Sequence, residues 1–443
     1  MTTRRPSCAA VSVPLPATHP ASPVAPPDPS SPRPQMTAPD DLSALWTHEW
    51  ARADWTRRNT LDALARGGLA ALLGGGSLAL SGRAVHAAED DTVRIGYLPI
   101  TDATALLVAH AKGYFEEAGL KVAEPIPVRS WSALVEGFAA GKFNLAHLLK
   151  PIPVWMRYNN KFPVKILAWA HTNGSGIVVG GKSGIEDFKG LAGKRVAVPY
   201  WYSMHNVVLQ YALRESGVTP VIRGDAGPNE CALQILAPPE MPAALAAGKI
   251  DGYIVAEPFN ALGEIKAGAR MLRFTGDIWK NHPCCVVVAH ESQIAAKPEW
   301  AGKAVDAIVR AQAYCVKNRE EVARLISKEG RGYLPMPADV VIKATTDYGP
   351  AYEASGAIRH RDWAAHRIDF QPWPYPSATK LIVEAMGNTV VEGDAGFLKG
   401  LDPDFVARDL VDDRFVRASL KRYPEWPGAA DDAALTRQET LSL

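Results

Sequence analysis

The chain has 443 residues, 47% of them hydrophobic and 21% charged, the proportions of a globular protein with room for two or three domains. Forty-eight Lys and Arg against 47 Asp and Glu leave a formal charge of +1, without the basic excess of a dedicated nucleic-acid binder. Five cysteines are too few for a disulfide scaffold, and the sequence has no apolar run of about eighteen residues, the length of a membrane span.

Residues 1–40 hold 11 of the 35 prolines, with Ser, Thr and Ala between them. Such a stretch buries too little apolar surface to offset chain entropy and reads as a disordered leader; Met36 is an alternative start. Residues 41–88 carry the order of a signal peptide: Arg57-Arg58, a mild Gly/Ala/Leu region from Leu61 to Leu80, then Ala84-Val85-His86-Ala87-Ala88. The paired arginines resemble a twin-arginine signal, which predicts export of the folded protein to the periplasm.

The remainder alternates strand and helix. Val93–Leu98 reads as a strand and Ala103 to Glu117 as an amphipathic helix stopped near Gly119. Strands are predicted at Val122–Val128, Asn144–Leu149, Lys165–Ala170, Gly176–Gly181, Lys194–Pro199, Gly252–Ala256 and Cys284–His290. Helices are predicted at Trp131–Gly141, His205–Gly217 and Met241–Gly248, and the pattern turns mostly helical from Lys297. This alternation predicts an α/β fold built on largely parallel sheets.

A weak internal repeat adds to it. Ala139 to Pro151 recurs as Ala246 to Pro258, with five of thirteen positions identical. Each copy is a helix end, a turn, a buried strand and a polar-Pro exit. Ligands gather at the carboxyl ends of such strands, so two copies predict two similar lobes facing a cleft, with Lys150 on one lip and Glu257 on the other.

Signs of catalysis are sparse. A formal phosphate-loop pattern from Gly176 to Ser183 has an apolar strand where the loop should be. No H-E-x-x-H, paired C-x-x-C or G-x-S-x-G motif occurs. Cys284 and Cys285 adjoin His282, but neighbours on a strand point oppositely and rarely share a metal, so they read as small buried residues. No cofactor is expected, and no ligand cluster demands a metal. Binding groups are present instead: Ser203 suits a helix N-cap after a strand, and the first N–H groups of that helix, with His205, suit an anion. Trp131 follows a strand and suits a pocket wall.

Gly96-Tyr97-Leu98-Pro99-Ile100-Thr101-Asp102, Ala111-Lys112-Gly113-Tyr114-Phe115, Ser130-Trp131, Ala146-His147-Leu148-Leu149-Lys150-Pro151, Asn173-Gly174, Ser203-Met204-His205-Asn206, Glu257-Pro258 and Asp277 to Pro283 occur in an order that resembles a known family. It is that of the nitrate- and bicarbonate-type periplasmic solute-binding proteins of ABC transporters, within a wider group holding alkanesulfonate binders and thiamine-pyrimidine synthases. The resemblance covers residues 92 to about 380. It implies a two-lobed periplasmic binding protein type II fold with a helical C-terminal region: lobe 1 begun by 89–180, lobe 2 formed by 181–285, lobe 1 completed by 286–443.

The resemblance implies a solute site at Thr101, Trp131, Ser175, Ser203, His205, Glu257 and Cys285, with Trp131 packing on the solute and His205 hydrogen-bonding it. Two positions depart. Cys285 stands where nitrate and bicarbonate binders carry a charged residue, and Ser175 lies near a Gln of the nitrate binders. A bond to a charged group is worth about 1.5–3 kcal/mol, so nitrate itself is disfavoured. The aromatic run Tyr200–Tyr202 favours alkyl sulfonates, cyanate or an aminopyrimidine.

The expected function is capture of a small anionic or polar solute for an ABC permease, not enzymatic turnover, with contact to the membrane only through that permease. The alternatives are a sensor that holds a regulatory partner and an enzyme similar to thiamine-pyrimidine synthases. The enzyme lacks support from a Cys-rich motif.

Overall fold

The computed structural model describes residues 91–346, 348–361, 366–426 and 431–443. The Pro-rich leader, the twin-arginine segment and Met36 lie outside the described residues.

Thirteen strands are described: β1 (Ile95–Tyr97), β2 (Ile126–Pro127), β3 (Leu145–Leu149), β4 (Val164–Trp169), β5 (Thr172–Asn173), β6 (Ser175–Gly180), β7 (Lys194–Val198), β8 (Thr219–Val221), β9 (Glu230–Ile235), β10 (Gly252–Ala256), β11 (Ala269–Phe274), β12 (Cys285–His290) and β13 (Ile368–Asp369). They form a five-stranded sheet in the order β2-β1-β3-β12-β4, a six-stranded sheet in the order β11-β6-β10-β7-β9-β8, and the pair β13-β5. Each large sheet is the floor of one lobe. The central strands β1, β3, β10 and β12 are short, apolar and buried almost throughout, the pattern that helices on both sides of a sheet impose.

Each large sheet has one reversed strand among parallel neighbours. β12 runs antiparallel to β3 and β4, and β6 runs antiparallel to β10 and β11. Both reversed strands follow a change of sheet. The chain leaves the first sheet after Trp169 and enters the second at Ser175, then leaves after Phe274 and returns at Cys285. The expected limits at 180 and 285 thus differ from the sheet changes: β6 belongs to the second sheet and β12 to the first. A strand's sheet is set by its hydrogen-bond partners, which periodicity along the chain does not report.

The repeat is the geometric basis of the cleft. Leu149 and Ala256 end the equivalent strands β3 and β10; Cys285 pairs with Leu149, and Ser175 pairs with Ala256. The starts of the reversed strands therefore lie beside the carboxyl ends of their neighbours, and both lobes present these ends to the same space. The apolar strand through the formal phosphate-loop pattern is β6 itself.

The two crossovers are tied together. The Asn173 N–H donates to the His282 oxygen at 3.0 Å, and the Thr275 hydroxyl donates to the Ser175 oxygen at 3.0 Å while Thr275 Oγ1 and His282 Nε2 lie 2.8 Å apart. Asn173 and Gly174 both have positive φ, 57° and 80°. A Cβ on Gly174 would stand 3.2 Å from the His171 ring, so glycine meets both the turn and the close approach there.

The helix predicted over Ala103–Glu117 is divided into Thr104–Ala111 and Tyr114–Glu117 at Gly113, whose φ is 72°. Helices dominate after Lys297, the longest being Pro298–Lys317. No helix among the described residues is long and apolar enough to cross a membrane.

Candidate functional site

Asp102 is the centre of the buried polar cluster between the lobes. It lies in the short turn Thr101–Ala103 that follows β1 and is fully buried. Its Oδ2 is 3.0 Å from His171 Nε2 and accepts from the Cys285 thiol at 3.2 Å. Its Oδ1 has no partner among the described residues. His171 lies just past β4, and the Cys285 N–H approaches its Nε2 at 3.3 Å. The backbone oxygens of Cys284 and Cys285 accept from the Lys150 and Ala170 N–H groups at 2.9 and 3.0 Å, which fixes both cysteines between the ends of β3 and β4.

Three histidines surround this carboxylate and differ in charge. Burial opposes a proton on His171, but Asp102, with help from Cys284, outweighs it and pushes the imidazole up to about 10. Burial likewise opposes charge on Asp102; His171 prevails and holds it below the usual range. Burial pushes His147 and His205 down to about 4, with Asp102 only partly opposing, so both are neutral at pH 7. His147 Nε2 accepts from the Leu98 N–H at 3.0 Å, which leaves the proton on Nδ1. That Nδ1 and Trp131 Nε1 are buried N–H donors without a partner among the described residues. The Trp131 and His147 rings meet edge to face, centroids 5.6 Å apart.

The second lobe contributes Ser175 and His205. Ser175 Oγ is 2.9 Å from His205 Nε2 and 3.8 Å from Cys284 Sγ, so a contact crosses from β6 to the start of β12. His205 Nδ1 is buried and unpartnered among the described residues. Ser203 is the N-cap of the helix Met204–Glu215, its Oγ accepting from the Asn206 N–H at 3.0 Å. Trp131 opens the helix Trp131–Ala139, capped by Ser130.

Of the residues predicted from sequence, Ser175, His205 and Cys285 converge around Asp102. Trp131 stands against His147. Ser203 sets the helix start, and its oxygen is engaged by the cap. Thr101 joins the lobes by donating its N–H and its hydroxyl to the Glu257 backbone oxygen, at 2.8 and 3.0 Å. The Glu257 carboxylate faces away from this contact: it pairs with Arg367 Nη1 at 2.7 Å and accepts from the Ala261 N–H at 3.0 Å. Lys150 is fully buried, with Nζ 5.0 Å from the Trp169 ring centre, and burial pushes it down to about 7. Tyr202 stacks on Trp155 at 5.4 Å, and Trp201 Nε1 donates to Glu392 at 3.4 Å; the aromatic run packs on neighbouring segments.

Asp102, His147 and His171 had no assigned role in the sequence reading, and Cys284 read as a small buried residue. Asp102 and His171 follow the carboxyl ends of β1 and β4, where the same rule would have found them, whereas His147 is in the middle of β3 and Cys284 precedes β12. The expected divergence of Cys284 and Cys285 does not occur. Cys284 precedes β12, so strand alternation does not govern it, and one ligand-capable atom from each of Asp102, His171, Cys284 and Cys285 lies within 4.8 Å of the others.

The chain resembles known proteins in sequence and fold. The nitrate/nitrite binding protein NrtA of Nostoc is 31% identical over 315 residues, 65% of this chain and 68% of that protein. The bicarbonate transport ATP-binding protein CmpC of Synechocystis is 29% identical over 272 residues, 58% of this chain, which spans only 40% of that relative's length. The periplasmic nitrate-binding protein NrtA of Synechocystis, a crystal structure, has the same fold: TM-score 0.65 at 19% identity, covering 80% of this chain and 94% of that one. The family model of the NMT1-like family matches residues 86–327, more than half of the sequence, and the chain belongs to that family.

Proposed function

We propose that this protein is the solute-binding component of an ABC importer, closing two lobes on a small polar or anionic solute and presenting it to a membrane permease. The observation that carries this reading is the set of buried, unpartnered polar atoms supplied by both lobes, from two helix starts and the middle of β3: Trp131 Nε1, His205 Nδ1 and His147 Nδ1. Buried polar groups left unmade are costly, and a solute that accepts hydrogen bonds would satisfy them. A ligand touching both lobes stabilises the closed form by its differential affinity. The paired crossovers before Ser175 and before Cys285 are the hinge in this reading, and the lobes are the two sheets with their helices.

The relatives named for nitrate, nitrite and bicarbonate transport support a transport role. Nitrate is disfavoured in this reading, because the neutral Cys285 thiol, which donates to Asp102 at 3.2 Å, stands where the resembling binders carry a charged residue. Export by the twin-arginine route to the periplasm belongs to the same proposal and is tested by whether the purified protein begins after Ala88. The solute is tested by a thermal-shift panel of nitrate, nitrite, bicarbonate, cyanate, alkyl sulfonates and aminopyrimidines, run in EDTA. A ligand at about one hundred times its dissociation constant stabilises by about 2.7 kcal/mol. A shift names the solute class; a flat panel with a folded protein overturns these solutes.

A further inference from the structure

Two thiols, an imidazole and a carboxylate, all fully buried, meet at the first lobe's side of the cleft. We infer that Asp102, His171, Cys284 and Cys285 form a binding site for a thiophilic metal cation, with Zn2+ the ion their donor set suits best. The inference rests on the reading of this cleft as the ligand site, and not on which solute or permease the protein serves.

The donor chemistry selects the metal class. Calcium and magnesium take oxygen ligands, whereas two sulfurs with one nitrogen and one oxygen suit zinc. Tetrahedral zinc, at about 2.3 Å to sulfur and 2.0–2.2 Å to nitrogen and oxygen, puts neighbouring donors about 3.3–3.8 Å apart. Asp102 Oδ2 lies 3.0 Å from His171 Nε2 and 3.2 Å from Cys285 Sγ, and one donor atom from each of the four residues lies within 4.8 Å of the others, so the spacing is close to that of a tetrahedral site. The donors come from three segments: the turn after β1, the end of β4 and the start of β12. All three are anchored in the five-stranded sheet.

A second observation points the same way. Asp102 Oδ1 and His171 Nδ1 are buried and have no partner among the described residues. A buried carboxylate is ordinarily paired, hydrogen-bonded or bound to a metal; here one oxygen is left over. A cation satisfies the negative centre that disfavours an anion at this point. Its binding releases the two thiol protons and the proton shared by His171 and Asp102. Ser175 and His205, from the other lobe, close over the Cys284 side.

The test is a titration of the reduced, EDTA-treated protein with Co2+, followed by Zn2+. The expected result is thiolate-to-cobalt charge transfer in the near ultraviolet, visible bands of tetrahedral cobalt, and their loss as Zn2+ displaces cobalt. Cys285→Ser and Asp102→Asn should each weaken the metal at least tenfold, with the charge-transfer intensity falling in the cysteine variant. Should either variant fail to fold, the unaltered protein still decides: Zn2+ should protect Cys284 and Cys285, but not Cys231 or Cys315, from a thiol reagent, read peptide by peptide. Absence of the charge-transfer band, or equal protection of all four cysteines, overturns the inference. A thermal shift with an anion in EDTA alongside a silent cobalt titration leaves the solute-binding function standing and removes the metal. The converse result removes the solutes of the panel and keeps the metal.

Discussion

Thr101 and Glu257 hold the lobes together through one backbone oxygen: the N–H and the hydroxyl of Thr101 both donate to the Glu257 carbonyl, at 2.8 and 3.0 Å. Thr101 follows the first strand of one sheet, and Glu257 follows β10 of the other. In the proposed closure of the lobes the pair acts as a latch. Thr101→Val keeps the N–H bond and removes the other, worth about 0.5–1.5 kcal/mol. It should weaken solute binding roughly two- to tenfold and raise the open fraction. Isothermal titration with small-angle scattering checks this; unchanged affinity and shape would falsify the latch.

His205 should matter more. It is neutral, buried, and oriented by Ser175 Oγ at 2.9 Å. His205→Ala should cost about tenfold or more in affinity for an anionic solute, the worth of one bond to a charged group. Ser175→Ala should cost less, because it releases only the ring's orientation. Equal losses in the two variants, or none, would refute this ordering.

Lysine at position 285 does not make a nitrate binder of this protein. Asp102 lies 3.2 Å from Cys285, so the new ammonium in Cys285→Lys pairs with that carboxylate. Nitrate affinity should rise only when Asp102→Asn accompanies it. A gain in the single variant, measured by titration, would show that the carboxylate does not govern the site.

Stability should rise from acid to about pH 6.5 and level off above it, because Lys150, pushed down to about 7, adds stability with rising pH where His171 loses it. The His171 imidazole is raised to about 10, so its contribution is complete below about 6.5 and fades as pH rises toward 10, at about 1.4 kcal/mol per unit. His147 and His205 are depressed to about 4 and His282 to about 3. These three bind protons more readily in the unfolded chain, so stability falls as pH drops below about 6.5. Asp102, lowered, contributes above the usual carboxylate range and loses that contribution in stronger acid. Urea unfolding of the metal-free protein from pH 4 to 10 checks the profile, and stability that does not rise between pH 4 and 6.5 contradicts it.

Arg367 is a structural cation. It is fully buried, with Nη1 2.7 Å from Glu257 and Nη2 2.6 Å from Glu264. Arg367→Met leaves the buried Glu257 without its cation, while Glu264 keeps Lys343 at 3.8 Å, and should destabilise by about 3–5 kcal/mol, visible as a lowered melting temperature. Glu257→Gln should be milder, because Arg367 keeps Glu264. A melting temperature unchanged in Arg367→Met would mean that water satisfies these acids.

The sequence by itself determined the local architecture. Alternating apolar strands and helices, the Ser203 cap before Met204 and the repeat ending at Pro151 and Pro258 are short-range patterns, set by side-chain period and cap chemistry. They placed strands such as Gly252–Ala256 at their observed limits. They missed β9 and β11, whose charged and polar residues break a simple alternation. Tertiary structure decided the rest. Arg367 reaches Glu257 across 110 positions, and this turned a predicted lip of the cleft into a buried ion pair. Asp102, His171 and Cys285 are brought together by β1, β4 and β12 of one sheet, with β12 beside β4 and β1 separated from β12 by β3, because sheet order is fixed by hydrogen-bond pairing and burial over the whole lobe.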